Sequence, residues 1–209
     1  MTPRLEAAVE LLGRSLVYTR GALEGVGPDL LDRPTPCSAW TLDQLLRHME
    51  DALDAFTEAA GGAVSVRRPA SPVPRVSTLQ DKACALLGAW SHAARAARTA
   101  GPDVVVGDVE VTSEVLVATA ALEITVHGWD VAQATGRRTP IPADLAADLL
   151  PVAHRVVDPT DRGLRFDRAR SAADDAGADI HLLEFLGRHL SGPARQNRGG
   201  TSPHPDAAS

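Results

Sequence analysis

The sequence predicts an all-α protein, and three observations lead there. Apolar residues recur at three- and four-residue steps along several long stretches, which gathers them on one face of a helix. Two of those stretches open on a capping signal, Thr41 with Gln44 and Ser77 with Gln80, each a hydroxyl residue followed three positions later by a glutamine. Apolar residues make up 44 % of the 209 positions but aromatic ones only 3 %, so Ala, Leu and Val must fill the core, and Ala and Leu are strong helix formers.

Taken in order, Pro3 suits a first helical turn, and Leu5, Val9, Leu12, Leu16 and Leu23 repeat at helical spacing. They predict a first helix over about 3–24, ended by Gly25, Gly27 and Pro28. Pro34 and Pro36 exclude helix from the link that follows. A second helix runs from the Thr41 cap to about Ala60, with Leu45, Met49, Ala52, Leu53 and Phe56 as its buried stripe and Gly61-Gly62 as its stop. Residues 61–76, with Pro69, Pro72, Pro74 and three arginines, read as an exposed loop. The third helix, capped by Ser77, reaches about Ala100 before Gly101-Pro102 and turns Leu79, Ala83, Leu86, Leu87, Trp90 and Ala94 inward. Val104 to Val111 is β-branched and interrupted by Gly107-Asp108, which fits either an extended connection or a small hairpin. A fourth helix runs from a Thr112 cap to Thr135 and stops at Gly136. A fifth spans about 143–157 behind Pro142, with Pro151 expected to kink or divide it. Asp158 to Asp175 is irregular, with Leu164-Arg165-Phe166 expected to pack on the bundle. Asp179 is read as the cap of a last helix over about 180–190, closed by Gly192-Pro193. The polar stretch 193–209 reads as a disordered tail.

The net charge of −6 argues against a nucleic-acid partner, because phosphate-binding surfaces carry a basic excess. Two cysteines, Cys37 and Cys84, make no disulfide framework. Residues 1–24 read as an amphipathic helix rather than a signal peptide, and no apolar run approaches the roughly 20 residues of a membrane span. The expectation is a soluble cytoplasmic protein acting on a small molecule, with neither nucleic acid nor membrane as partner. A homodimer stays open.

The chemistry centres on Leu122-Glu123-Ile124-Thr125-Val126-His127-Gly128-Trp129-Asp130. Glu123 and His127 are four apart, so a helix places a carboxylate and an imidazole on one face, one turn from each other. A metal site needs a third ligand, and His48 is the candidate because it stands beside the buried stripe of the second helix. Glu123 sits among Ala121, Leu122 and Ile124, and a buried carboxylate must be paired or metal-bound. The duller alternatives are a Glu123–His127 pair or a Glu123–arginine pair. Asp130, one turn beyond His127, is either an exposed acid or a group that orients the site. Glu50, Asp51 and Asp54 read as a solvated face, although Asp51 is three residues from His48 and near enough to touch it. His92, His154, His181, His189 and His204 read as surface or packing histidines, with His92 or His154 lining a cleft as the alternative. Trp129 reads as a core indole, Cys37 as packing beside the proline-rich turn with zinc ligation by its thiol as the alternative, and Cys84 as a core residue of the third helix. No catalytic residue is singled out.

These residues resemble a known group. Thr35-Pro36-Cys37-Ser38-Ala39-Trp40-Thr41 followed by Leu45-Leu46-Arg47-His48 resembles the start of the second helix in the DinB-like superfamily. Glu123-Ile124-Thr125-Val126-His127-Gly128-Trp129-Asp130-Val131-Ala132 looks like its metal-binding fourth helix. The mycothiol-dependent maleylpyruvate isomerase-like branch is the nearest in likeness, and Leu182-Leu183-Glu184-Phe185-Leu186-Gly187-Arg188 is similar to it as well. The likeness spans about residues 1–192. It implies an up-down-down-up four-helix bundle with extra short C-terminal helices, and a divalent metal on His48, Glu123 and His127. That metal is usually zinc, while two His and one carboxylate equally suit iron or nickel. It also implies mycothiol or a similar small thiol as cosubstrate, bound by the metal as a thiolate and presented to an electrophile. Two departures stand out. The maleylpyruvate isomerases resembled carry a further C-terminal domain for which this sequence is too short, which weakens the expectation of isomerisation itself. Relatives also often have small residues after the second-helix histidine, where this chain has Met49-Glu50-Asp51.

The leading expectation is therefore a metal-dependent thiol transferase or isomerase acting on a small electrophile. The alternatives are a non-catalytic metal- or small-molecule-binding bundle with a stress or regulatory role, and a purely structural bundle without metal.

Overall fold

A computed structural model describes residues 3–37, 40–62, 76–96, 103–106, 109–162 and 166–188. The proline-rich loop at 63–75, Gly101-Pro102, Gly107-Asp108, Leu164-Arg165, His189, His204 and the 193–209 stretch fall outside them.

Four long helices form the body: α1 (Pro3–Leu23), α2 (Leu42–Ala59), α3 (Val76–Ala96) and α4 (Ser113–Thr135). Helix α1 lies along α4 and α3, and α2 lies along α3 and α4, so α1–α2 and α3–α4 are the diagonals. The path is up-down-down-up, and the long connection at 60–75 joins the parallel pair α2 and α3. A two-stranded antiparallel hairpin, β1 (Asp103–Val106) and β2 (Val109–Thr112), links α3 to α4, with Asp103 opposite Thr112 and Val106 opposite Val109. The Val104–Val111 stretch is thus a hairpin rather than a plain connection. Two shorter helices, α5 (Ala143–Val156) and α6 (Ala178–Phe185), pack on each other, and α5 also packs on α4 and α1. The class is all-α, as its periodicity and composition dictate.

The local signals explain most boundaries. Thr41 accepts from the Gln44 amide at 3.4 Å and Gln44 Oε1 accepts from the Thr41 amide at 2.9 Å, a complete capping box at the start of α2. Thr112 caps α4 through the Val115 amide, and Gly136, at φ 81°, ends it in the left-handed region that glycine enters without strain. Other boundaries differ from expectation. Helix α3 already begins at Val76, so Ser77 lies inside its first turn instead of capping it. Pro151 does not divide α5, which runs unbroken past it; one lost N–H is outweighed by the burial of Leu145, Ala146, Leu149 and Ala153. Helix α6 is capped by Gly177, not by Asp179. Asp179 sits in the first turn, where a carboxylate meets the positive end of the helix. The same helix stops at Phe185 rather than near 190, because Gly187 (φ 73°) turns the chain. Phe166 packs on the core as expected.

Helix α4 is the axis of the molecule. Its 23 residues do pass the length and hydropathy test for a membrane span, contrary to the reading of the sequence by apolar runs. Most of that apolar surface is covered by the other helices: Val117, Ala121, Ile124, Trp129, Val131 and Ala132 are all buried. Helix α1 comes closest to it at Gly128, where an added Cβ would lie 2.4 Å from Thr19 Oγ1 and 3.1 Å from Thr19 Cα. There Thr19 donates its hydroxyl to the Ile124 carbonyl at 2.8 Å.

Candidate metal centre

Helix α4 presents Glu123 and His127 one turn apart, and α2 brings His48 to the same point. His48 Nε2 lies 2.8 Å from Glu123 Oε1, and His127 Nε2 lies 3.1 Å from the same oxygen. The two imidazole rings meet edge to face with centroids 5.0 Å apart. The three donor atoms lie within 4.8 Å of one another. Ligands about 2.0–2.2 Å from a tetrahedral zinc are roughly 3.3 Å apart, so these spacings admit a cation after outward movement of a few tenths of an ångström.

Behind His127 stands a buried chain of polar groups. Its Nδ1 bonds Asp130 Oδ2 at 3.0 Å, and the Arg188 guanidinium, arriving from the end of α6, bonds that same oxygen at 3.2 Å. Asp130 is 0 % exposed and Arg188 5 %. Arg188 also donates to the Leu186 carbonyl at 3.3 Å. Because Asp130 takes the proton on Nδ1, the other nitrogen of His127 is the one that faces Glu123, the arrangement typical of histidines that bind metals.

The electrostatics follow from this wiring. Burial works to raise the Glu123 carboxyl, but its bonds to His127 and His48 outweigh burial and hold it well below the usual carboxylate range. For His127 burial lowers the imidazole, yet the bonds to Asp130 and Glu123 win and raise it to about 9. Burial likewise pushes Asp130 up, and Arg188 and His127 overcome it and keep it ionised. In the metal-free protein the cluster is a carboxylate balanced by protonated imidazole, with no arginine on Glu123 among the described residues.

Two further groups enclose the centre. The turn before α2 is folded back by bonds from the Thr35 amide to the Trp40 carbonyl (3.1 Å), from the Trp40 amide to the Cys37 carbonyl (3.0 Å) and from the Leu42 amide to the Arg33 carbonyl (2.9 Å). This sets the Trp40 ring 4.6 Å from that of His48 and 6.2 Å from that of His127. It also brings Cys37 into a second cluster with His127 and Asp130, whose ligand atoms lie within 4.8 Å of one another. Burial, helped by Asp130 and Glu123 and opposed by Arg188, pushes the Cys37 thiol up, so it stays protonated and is no nucleophile at neutral pH.

A cavity of about 470 Å³ adjoins the centre. All four long helices line it, and Glu123 and His127 are among its polar lining residues.

The structure thus brings His48, Glu123 and His127 together and puts Asp130 against His127 rather than in solvent. Asp51 is exposed, pointing away from the bundle, and makes no hydrogen bond or ion pair among the described residues, so it does not touch His48. Its neighbour Glu50 is not solvated either: it is 3 % exposed and paired with Lys82 of α3 at 3.2 Å, while Asp54 holds the same ammonium at 2.7 Å. Of Met49-Glu50-Asp51 only Met49 lines the cavity, so that departure changes its size rather than its charge. Cys84 is exposed at the cavity edge instead of buried in α3. His92 and His154 are exposed and apart from the centre, His154 stacking on Phe185 with centroids 4.0 Å apart. Trp40 and Arg188 entered the sequence reading only through the family likeness, while Cys37, read as packing with ligation as the alternative, does reach the centre.

The model of the mycothiol maleylpyruvate isomerase N-terminal domain family matches residues 12–132. The chain belongs to this family. The match takes in His48, Glu123 and His127, together with Trp40 and Asp130. Two relatives, the uncharacterized proteins MT0763 and Rv0738 of two Mycobacterium tuberculosis strains, are each 32 % identical over 168 residues, which is 79 % of this chain and 89 % of the relative. No solved structure matches the chain significantly. As a member of the mycothiol maleylpyruvate isomerase N-terminal domain family, the protein is a mycothiol-related, DinB-like helical bundle of a metal-binding kind.

Proposed function

We propose that this protein is a cytoplasmic, metal-dependent enzyme that uses a low-molecular-weight thiol such as mycothiol for S-transfer to, or isomerisation of, a small electrophilic substrate. His48, Glu123 and His127 hold the metal, and zinc is preferred over nickel or iron because a thiolate suits it. One observation carries the reading: among the described residues no fourth Cys, His, Asp or Glu shares the reach of those three, so a cation there keeps open positions, as in catalytic rather than structural sites. When bound, the cation supplies Lewis acidity that lowers the pKa of a thiol.

The chain's own residues do the rest. Asp130, fixed by Arg188, keeps the Nδ1 proton of His127 in place and leaves Nε2 free to donate its lone pair. Glu123 stays ionised and offers negative charge to the cation. Trp40 packs its ring against His48 and helps hold that imidazole in place. The cavity holds the electrophile. In S-transfer the sulfur–carbon bond forms, the bond from that carbon to its leaving group breaks, the leaving group departs with the electron pair, and the thiol proton goes to solvent.

The test combines elemental analysis of untagged protein with a thiol-consumption assay over a panel of electrophiles. Wild type is expected to carry about one metal per chain and to consume thiol, and His48→Ala to do neither. Protein that binds metal yet consumes no thiol above background would leave a non-catalytic binding bundle, and protein that binds no metal would leave only a structural one.

A further inference from the structure

The cavity between the four helices has a chemistry of its own. Its wall is aliphatic, with Leu16 and Leu23 from α1, Leu53 from α2, Leu79 and Leu87 from α3, and Ile124 from α4; no Phe, Tyr or Trp lines it. At about 470 Å³ it lies within the roughly 300–1,000 Å³ typical of pockets for drug-sized ligands. Its polar lining comprises Glu123 and His127 of the candidate centre, Thr19, Gln80, and Arg20 with Asp81, the last two exposed and of opposite sign, so that pair adds no net charge. Thr19 lies along the wall, but its hydroxyl proton is committed to the Ile124 carbonyl. Apart from His127, no buried cation lines it among the described residues.

We infer that this cavity is the electrophile subsite and that it selects an uncharged, apolar small molecule. Beyond the reach of His127 and Arg20, a carboxylate would lose its hydration among leucines without a partner, and a sugar hydroxyl there would be stranded as an unsatisfied polar group. Dicarboxylates and the polar part of a sugar-bearing thiol are therefore disfavoured in it. Met49, unbranched and adaptable, lets the wall fit more than one apolar shape. That the occupant is a substrate rests on the reading above; that it occupies the cavity does not.

The test uses the full chain, with and without bound zinc, and N-phenyl-1-naphthylamine as a neutral probe that brightens in apolar surroundings. The probe is expected to bind saturably with a stoichiometry near one. Its sulfonated analogue, 8-anilinonaphthalene-1-sulfonate, is expected to bind at least about tenfold more weakly. Ala83→Trp, which fills the cavity from α3, should weaken the neutral probe by about tenfold or more, and Ala85→Trp, on the exposed side of the same helix, should not. Should Ala83→Trp fail to fold, alkylation of wild type decides: Cys84, exposed at the cavity edge, should react several-fold more slowly with the probe bound. Equal affinity for the neutral and sulfonated probes, no saturable binding, or an unprotected Cys84 would overturn the inference. Metal content measured on the same samples keeps the two readings apart, since loss of metal with intact probe binding sinks only the metal reading.

Discussion

Asp130 sets the state of the whole centre from a position that touches no ligand-facing atom. With its Oδ2 between His127 Nδ1 and Arg188, it fixes both the ring orientation and which nitrogen is free. Asp130→Asn is expected to weaken zinc binding by about 10–100-fold in a chelator competition, and Arg188→Met to do the same, while helix content stays constant. Unchanged affinity in both would show that the buried pair serves only packing. The protons of the metal-free protein give a second expectation. His127 is raised to about 9 from an ordinary value near 6.5, so its contribution to stability is fully present below about pH 6.5 and is lost as pH rises through 9. Glu123 is held low, so its contribution is present above its ordinary range and fades only in acid. Urea unfolding of chelator-treated protein should therefore weaken between about pH 6.5 and 9.5, and zinc loading should flatten that slope because the ring is then held neutral. At this scale the sequence reached the residues joined by helical periodicity. Glu123, His127 and Asp130 share one face of one helix, and His48 was readable from its place beside an apolar stripe. Trp40 and Cys37 reach the centre through a turn closed by backbone bonds, and Arg188, itself 58 residues from Asp130, through the chain just beyond the end of α6. None of those three has a periodicity that foretells it.

Between elements, the tightest constraint is the crossing of α1 and α4 at Gly128. Gly128→Ala gains helix propensity of about 1 kcal/mol, but its Cβ meets the backbone of Thr19 as well as its hydroxyl, so α1 must shift. A net loss of about 1–3 kcal/mol is expected in urea unfolding. Because His127 is the adjacent residue, zinc affinity should fall with it; a neutral outcome would mean that α1 yields freely. The α2–α3 contact offers an independent check. Lys82→Met strands the buried Glu50 carboxylate and should cost about 1–3 kcal/mol, and adding Glu50→Leu should recover part of it. The cap at Thr41 and the stop at Gly136 were legible because each is a local device. The cap at Gly177 was not, since glycine gives no side-chain signal at a helix start, and Asp179 two residues on looked like the better candidate. Glu50 was misread for a different reason. Charge beside charge on a helix looks solvated until the facing helix supplies a lysine.

Across the whole molecule, a candidate site that closes only when α2 and α4 meet would couple the proposed metal binding to folding. Zinc at about 100 times its dissociation constant should stabilise wild type by roughly 2.7 kcal/mol, a rise in Tm of roughly 5–10 °C for a chain of this size, reversed by a chelator. His48→Ala should show no such rise, and an equal rise in that variant would place the cation elsewhere. The bundle was legible as a class from composition and periodicity. The apolar cavity was not, because it is a void left between four stripes that each look fully packed. One consequence reaches the bench directly. Of the three indoles, Trp90 and Trp129 are buried in the core, and only Trp40 lies against an imidazole ligand. Indole emission responds to what lies against the ring, so the fluorescence of Trp40 is a built-in optical gauge of changes at this centre, readable without any label.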